Sequence, residues 1–233
     1  MIKIENRAIF IADVHYPHHG DKIFDLLSVT FLQKNKISQI FFLGDIFDIL
    51  FENTQYLINY NKKLIQVINS IDINIRISYF EGNHDFNLRG ILPNITIYSI
   101  ENQPQQMLLG NKIVSISHGD KYEMGLRYRI YSKFIRNSFI IKYLIPLKNT
   151  LLAKQISKLK KKKICKKLDN FTQIVNKILS NYNSEELVIE AHYHQGVIID
   201  NYISLPSLAC QNMIAIVENG EILFKKIKFN TPL

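Results

Sequence analysis

The chain has 233 residues, of which 47% are hydrophobic and 21% charged, with a formal net charge of +9 and two cysteines. That apolar content excludes a disordered chain, and the length suits one catalytic unit, either a single domain or a domain carrying an insertion. No stretch reaches the roughly 18 apolar residues that a membrane-spanning helix needs, and Cys165 and Cys210 lack paired or zinc-like spacing, which speaks against a disulfide scaffold and for a reducing compartment.

In chain order, Met1 to Glu5 enters a strand at once, with no charged and then apolar segment of the kind that marks a secretory signal. Arg7 to Ala12, Gln39 to Leu43 and Ile75 to Phe80 are short β-branched and aromatic runs, predicted as strands. Between them, Asp21 to Asn35 and Thr54 to Ile71 have helical spacing, so the first third reads βαβαβ with parallel pairing. Ile95 to Tyr98, Gln106 to Leu109 and Lys112 to Ser117 are further predicted strands, with Gly110-Asn111 as a tight turn between the last two. From Tyr122 to Leu179 the pattern turns helical, interrupted near Pro146, and Ile164, Leu168, Phe171, Val175 and Ile178 form one apolar stripe. Strands return at Leu187 to Ala191, Gly196 to Ile199, Tyr202 to Leu205, Met213 to Val217 and Glu221 to Lys228, with a second tight turn at Asn219-Gly220.

Five of the strand-like runs end in a polar cluster. These are Asp13-Val14-His15, Gly44-Asp45, Gly82-Asn83-His84-Asp85, Ser117-His118-Gly119-Asp120 and His192-Tyr193-His194. Any one cluster alone reads as a solvated or capping side chain beside a turn. All five in order, each at the carboxyl end of a strand where α/β sheets gather their ligands, point to one shared site. Mixed imidazole and carboxylate donors suit Mn, Fe or Zn better than Mg or Ca. Two such cations about 3.5–4 Å apart can supply a deprotonated water and neutralise phosphoryl charge, so the set reads as a two-metal phosphoester hydrolase. His18 and His19, following Pro17, read as exposed loop histidines close to Asp13.

The clusters resemble the calcineurin-like metallophosphoesterase superfamily, with its D-x-H, G-D, G-N-H-D or G-N-R-D, H and G-H-x-H pattern. The resemblance implies an α/β four-layer sandwich of two mixed β-sheets flanked by helices, with a core over residues 1–120 and 184–233 and a helical lid insertion over 121–183. It implies that Asp13, His15 and His194 hold one divalent ion, that Asn83, His118 and His192 hold the other, and that Asp45 bridges both, with manganese as the expected metal. It further implies that His84 acts on the leaving oxygen, with Asp85 orienting it by accepting a ring N–H. Two departures stand out: Ala191 replaces the family glycine before the last His pair, and the bulky Tyr193 fills its spacer.

The insertion carries the charge. From Lys121 to Lys167 there are 15 Lys or Arg against one acid, Glu123, so this stretch is +14, while the remainder, with 14 basic and 19 acidic residues, is −5. Abundant Ile, Asn and Lys throughout fit AT-rich coding sequence, which raises lysine but does not remove acids from one segment. In Tyr122 to Leu147 cations alternate with large aliphatic and aromatic residues over more than one helical face. Three readings stay open: a cationic cap packed on the core, a track for a nucleic acid backbone, or an interfacial helix meeting anionic lipid.

The order H-G-D, then Y-x-x-Y/F with Arg, an apolar run ending in Pro-Leu, and a lysine-rich helix before the last His pair resembles the UDP-2,3-diacylglucosamine diphosphatases of bacterial lipid A synthesis. That resemblance implies a lid over an acyl-chain chamber and a lipid-linked nucleotide substrate cleaved to UMP and a diacylglucosamine phosphate. It makes Asn83, Arg127, Arg129, Lys133 and Lys163 candidate substrate contacts. It also implies a cytoplasmic protein, peripheral to the inner face of the membrane; no protein partner is expected. One branch of those enzymes has Arg where this chain has His84, and another Asp soon after H-G-D, whereas none follows Asp120 here until Asp169. A metal-dependent nuclease using the basic insertion, or a protein phosphatase, is the alternative.

Overall fold

The computed structural model describes residues 1–122, 136–137 and 149–227. Its strands are β1 (Ile2–Ile4), β2 (Ile9–Ile11), β3 (Gln39–Leu43), β4 (Leu50–Phe51), β5 (Arg76–Phe80), β6 (Asp85–Phe86), β7 (Thr96–Tyr98), β8 (Gln105–Leu109), β9 (Lys112–Ser117), β10 (Leu187–Glu190), β11 (Val197–Ile199), β12 (Tyr202–Ser204), β13 (Met213–Glu218) and β14 (Glu221–Lys226). They form two six-stranded mixed sheets, ordered β1-β8-β9-β10-β12-β11 and β14-β13-β2-β3-β5-β7, plus the small β4-β6 pair.

Parallel strands covered on both faces need apolar side chains on both, and the sequence supplies them. Along β2 and β3, Phe10, Phe41 and Leu43 point inward to meet Met107, Val114, Ile116 and Ile189 of the other sheet. Ile9, Ile11, Ile40 and Phe42 point the opposite way, against Leu26, Leu57, Leu64 and Ile68 from the helices. On the far face of the first sheet, Phe171, Val175 and Ile178 of the Phe171–Leu179 helix pack on Val188, Tyr193 and Tyr202. The result is four layers, helices outside and two sheets between, as the sequence leads one to expect.

The two long helical predictions are each broken in two. Ser28 ends Ile23–Leu26 and caps Val29–Lys34, its hydroxyl accepting from Phe31 N at 3.2 Å. Asn61, fully buried, separates Gln55–Tyr60 from Lys62–Asn69 and donates to the Ile49 and Leu57 carbonyls. The predicted tight turn at Asn219-Gly220 joins β13 to β14, both residues at positive φ, as such hairpins require.

Two expectations are corrected in the second half. Ile164 and Leu168 do not continue the apolar stripe of a helix: Asn149–Lys161 is helical, 162–168 is a non-helical strap, and the next helix begins at Phe171. Backbone groups of the strap are taken by tertiary partners instead, Leu168 N donating to Gln195 Oε1 and the Lys166 carbonyl accepting from Gln195 Nε2. Second, Cys165 and Cys210 are not separate thiols. They form a disulfide with Cα atoms 5.4 Å apart, because the strap crosses over the Leu208–Gln211 helix. Among the described residues no helix is long and apolar enough to cross a membrane.

Candidate metal centre

The carboxyl ends of β2, β3 and β5, parallel in one sheet, and of β9 and β10, parallel in the other, open onto the same cleft. Loops leaving β2 and β3 are stitched together there, with Val14 N and His15 N both donating to the Asp45 carbonyl at 3.0 Å. His118 follows β9 and donates through Nδ1 to the Leu43 carbonyl at 2.8 Å. Ala191, after β10, donates its N–H to the His118 carbonyl at 2.9 Å. His15 and His194, 179 positions apart in sequence, thereby meet, their Nε2 atoms 3.5 Å apart.

The seven residues expected to ligate metal lie within this one cleft. Asp13, His15 and His194 form one cluster of ligand atoms, Asp45, His118 and His192 another, and Asp45 also joins His15 and His84 in a third. Asn83 Oδ1 is 3.2 Å from His118 Nε2. Five of the seven, Asp13, His15, Asp45, His192 and His194, hold positive φ between 49° and 62°. For residues other than glycine this is uncommon and costs on the order of 1 kcal/mol each, so the surrounding fold imposes it. Gly44 and Gly82 let the loops close up: a Cβ on Gly82 would fall 2.3 Å from Asp45 Oδ1, and one on Gly44 2.5 Å from His118 Nδ1.

The donor set fits two divalent ions. Asp13 is fully buried, yet neither of its carboxylate oxygens accepts a hydrogen bond. The nearest ring nitrogen is His194 Nε2, 3.2 Å from Oδ1. A buried carboxylate left so is costly unless a cation serves it. The imidazoles are presented for the same purpose. A backbone carbonyl can only accept, so the Leu43 and Ile164 carbonyls hold the proton of His118 and His194 on Nδ1 and leave each Nε2 lone pair facing the cleft. His15 turns Nδ1 toward Asp48 Oδ1 at 3.4 Å.

The charges in the cleft perturb one another strongly. Burial alone would raise the carboxyl of Asp45, but the His84, His118 and His15 rings around it drive it well below the ordinary range. Burial disfavours a charged His118, yet Asp45, Asp120 and Asp13 together push it up to about 9. His192, buried and next to His118, is pushed down to about 4. Protons thus occupy part of the place that cations would take.

Among the catalytic candidates, His84 is at the edge of the cleft, its side chain 12% exposed and its Nε2 4.0 Å from Asp45 Oδ2. Asp85 does not orient it. The His84 Nδ1–H donates to the Asp48 carbonyl at 2.6 Å, and Asp85 points into the core, accepting from the backbone N–H groups of Asp45, Ile46, Phe47 and Gly82 and from the Tyr79 hydroxyl. His84 lies in the bend before β6 and Asp85 opens that strand, and so neighbours in sequence part here. Burial and the charge of Asp45 raise the Asp85 carboxyl to about 7 against these donors. Its observed place is that of a brace under the Gly44-Asp45 turn.

The sequence reading missed Asp48 and misplaced His18. The His18 side chain is only 8% exposed, its Nδ1 2.5 Å from Asp48 Oδ2 and its Nε2 accepting from the Tyr60 hydroxyl at 2.9 Å. Asp48 therefore faces two histidines, one a ligand candidate. Its position three residues after Asp45 was the signal available. Arg136, also missed, is buried with Nη2 donating to the Gly82 carbonyl at 2.8 Å and lies 3.6 Å from Asp120. Both departures from the family pattern are accommodated: the left-handed turn falls on His192 and not on Ala191, and Tyr193 packs on Phe171 and donates to the Gly119 carbonyl.

Of the substrate candidates, Asn83 and Lys163 line the cleft, a cavity of about 330 Å³ whose mouth also carries Lys162 and Lys166. Arg127, Arg129 and Lys133 lie outside the described residues.

No family model matches the chain. It is similar to the UDP-2,3-diacylglucosamine hydrolase of Coxiella burnetii, 24% identical over 206 residues that cover 83% of this chain and 82% of that one. Among solved structures it is similar to a dimetal phosphatase from Danio rerio, at 13% identity and TM-score 0.44 over 94% of this chain and 95% of that one. A second is the Pseudomonas putida nuclease MPE, at 19% identity and TM-score 0.33 over 48% and 54%.

Proposed function

We propose that the chain is a dinuclear-metal phosphoesterase that hydrolyses the diphosphate of UDP-2,3-diacylglucosamine to UMP and 2,3-diacylglucosamine 1-phosphate, working at the cytoplasmic face of a membrane, where the acyl chains hold the substrate. The observation that carries this reading is the convergence of Asp13, His15, Asp45, Asn83, His118, His192 and His194 in one cleft with lysines at its mouth. Similarity to the Coxiella burnetii hydrolase over most of both chains supports the choice of substrate.

Asp13, His15 and His194 would hold one ion, Asn83, His118 and His192 the other, with Asp45 between them. When bound, such a pair neutralises phosphoryl charge and makes water acidic enough to attack near neutral pH, and we take manganese as the metal. His84 lines the cleft with its ring fixed by the Asp48 carbonyl and Nε2 toward Asp45, and from there it would hold a proton for the departing oxygen. Lys162, Lys163 and Lys166 supply cations for the phosphate that is not attacked. The lid expected over residues 121–183, whose residues 123–135 and 138–148 lie outside the described ones, would add further contacts through Arg127, Arg129 and Lys133.

The test is direct. Purified protein with Mn²⁺ is given UDP-2,3-diacylglucosamine and, separately, single-stranded DNA; release of UMP from the lipid is expected. Cleavage of the DNA with the lipid left intact would replace this reading with that of a nuclease.

A further inference from the structure

The strap over residues 162–168 belongs to neither flanking helix and yet lies across the mouth of the metal cleft, placing Lys162, Lys163 and Lys166 there. Three hydrogen bonds hold it: the Ile164 carbonyl to His194 Nδ1 at 3.1 Å, the Lys166 carbonyl to Gln195 Nε2 at 3.0 Å, and Leu168 N to Gln195 Oε1 at 3.1 Å. The Lys166 bond is exposed and the other two are part-buried, and each such bond adds only about 1 kcal/mol net. Leu168, at its end, packs on Phe171, Val175 and Ile178, and a further tie, in the middle, is covalent. Cys165, in the middle of the strap, is bonded to Cys210 on the Leu208–Gln211 helix, 45 residues away in sequence. Cys210 Sγ is also 3.6 Å from His194 Nδ1, so the same link lies against a ligand candidate.

We propose that the Cys165–Cys210 disulfide is a reversible clamp that seats the lysine strap over the metal cleft, so that reduction by a thiol frees the strap and weakens capture of the substrate's phosphates. This rests on the reading of the cleft as a phosphoesterase site. Six lysines fall between positions 160 and 167, and their mutual repulsion favours an extended, loosely held segment once the bond is cut. Cys165 is exposed and Cys210 half-buried, so the outer sulfur is open to attack. A dithiol attacks Cys165, the S–S bond breaks, and Cys210 leaves as the thiol. The second thiol of the reductant then displaces Cys165 from the mixed disulfide. Two protein S–H groups are formed, and the dithiol is oxidised to its own disulfide. In a reducing compartment such a link is a control element and not a permanent scaffold.

The experiment compares the full chain with Mn²⁺ in three forms: oxidised, reduced with dithiothreitol, and C165S/C210S. Amide hydrogen exchange over residues 162–168 is measured with KM and kcat for UDP-2,3-diacylglucosamine. We expect exchange in the strap to rise on reduction and KM to rise about three- to tenfold with kcat within about twofold. The double variant should match the reduced protein and ignore dithiothreitol. Equal exchange and equal KM in oxidised and reduced protein would overturn the clamp. Should the lipid not be turned over at all, the phosphoesterase assignment fails by itself, and the exchange comparison still decides whether the disulfide seats the strap.

Discussion

At the scale of single residues, the site depends on what holds each imidazole from behind. His118 and His194 rest on carbonyls, and His15 faces the Asp48 carboxylate. Asp48→Asn keeps the shape but removes the charge, and we expect Mn²⁺ affinity to fall by about 10- to 100-fold, as when outer-sphere partners are lost elsewhere. Titration calorimetry reads this, and unchanged affinity would remove Asp48 from the site. His84 differs in kind, because no ion need depend on it. His84→Ala should retain both ions while kcat drops by about two to four orders of magnitude; normal turnover would take it out of the mechanism. The convergence of the seven ligand candidates was legible because their types are restricted by chemistry and their order by the strands. The Asp85 role was not, since the boundary between the bend at His84 and β6 at Asp85, which sends the two side chains apart, leaves no mark in the sequence. Asp48 and His18 form a pair across two loops, which a linear reading cannot see.

At the scale of elements, the strands were the legible part. Gln39–Leu43 and Lys112–Ser117 match their predicted bounds, because unbroken β-branched and aromatic runs between polar clusters leave little choice. The breaks at Ser28 and Asn61 were hidden inside helical spacing, since both are made by one polar side chain capturing backbone groups. The stripe from Ile164 to Ile178 failed at its first two members, where a disulfide outweighs periodicity. Strand β10 carries a further consequence at its end. Glu190 is buried, accepting from the hydroxyls of Ser117, Tyr182 and Tyr202, and burial raises its carboxyl despite them. The folded protein therefore binds this proton more tightly than the unfolded chain does. Stability from Glu190 is greatest below the ordinary glutamate value of 4.5 and declines as pH rises from there through the raised folded value. Glu190→Gln, which does not titrate, should lose this slope, so melting temperature should favour the variant increasingly as pH rises from 4.5 through the raised folded value. A difference that stays constant with pH would contradict it.

At the scale of the whole molecule, two sheets assembled from distant parts of the chain point their parallel strands at one cleft, and that arrangement is what makes five weak clusters one site. The sandwich could be foreseen from the family resemblance, with which the count of strands is consistent. The β1-β8 pairing at one edge could not, because it joins residues about a hundred positions apart with nothing local to announce it. Charge is divided along the chain, +14 from Lys121 to Lys167 and −5 over the remainder. The claim on which all of this stands is that the cleft takes two ions through seven side chains. Metal analysis of the protein purified with Mn²⁺, alongside Asp45→Ala, measures it. Two ions per chain in the natural protein and none retained by the variant is the predicted result; a natural protein that takes up no transition metal, or a variant that keeps both ions, would contradict it.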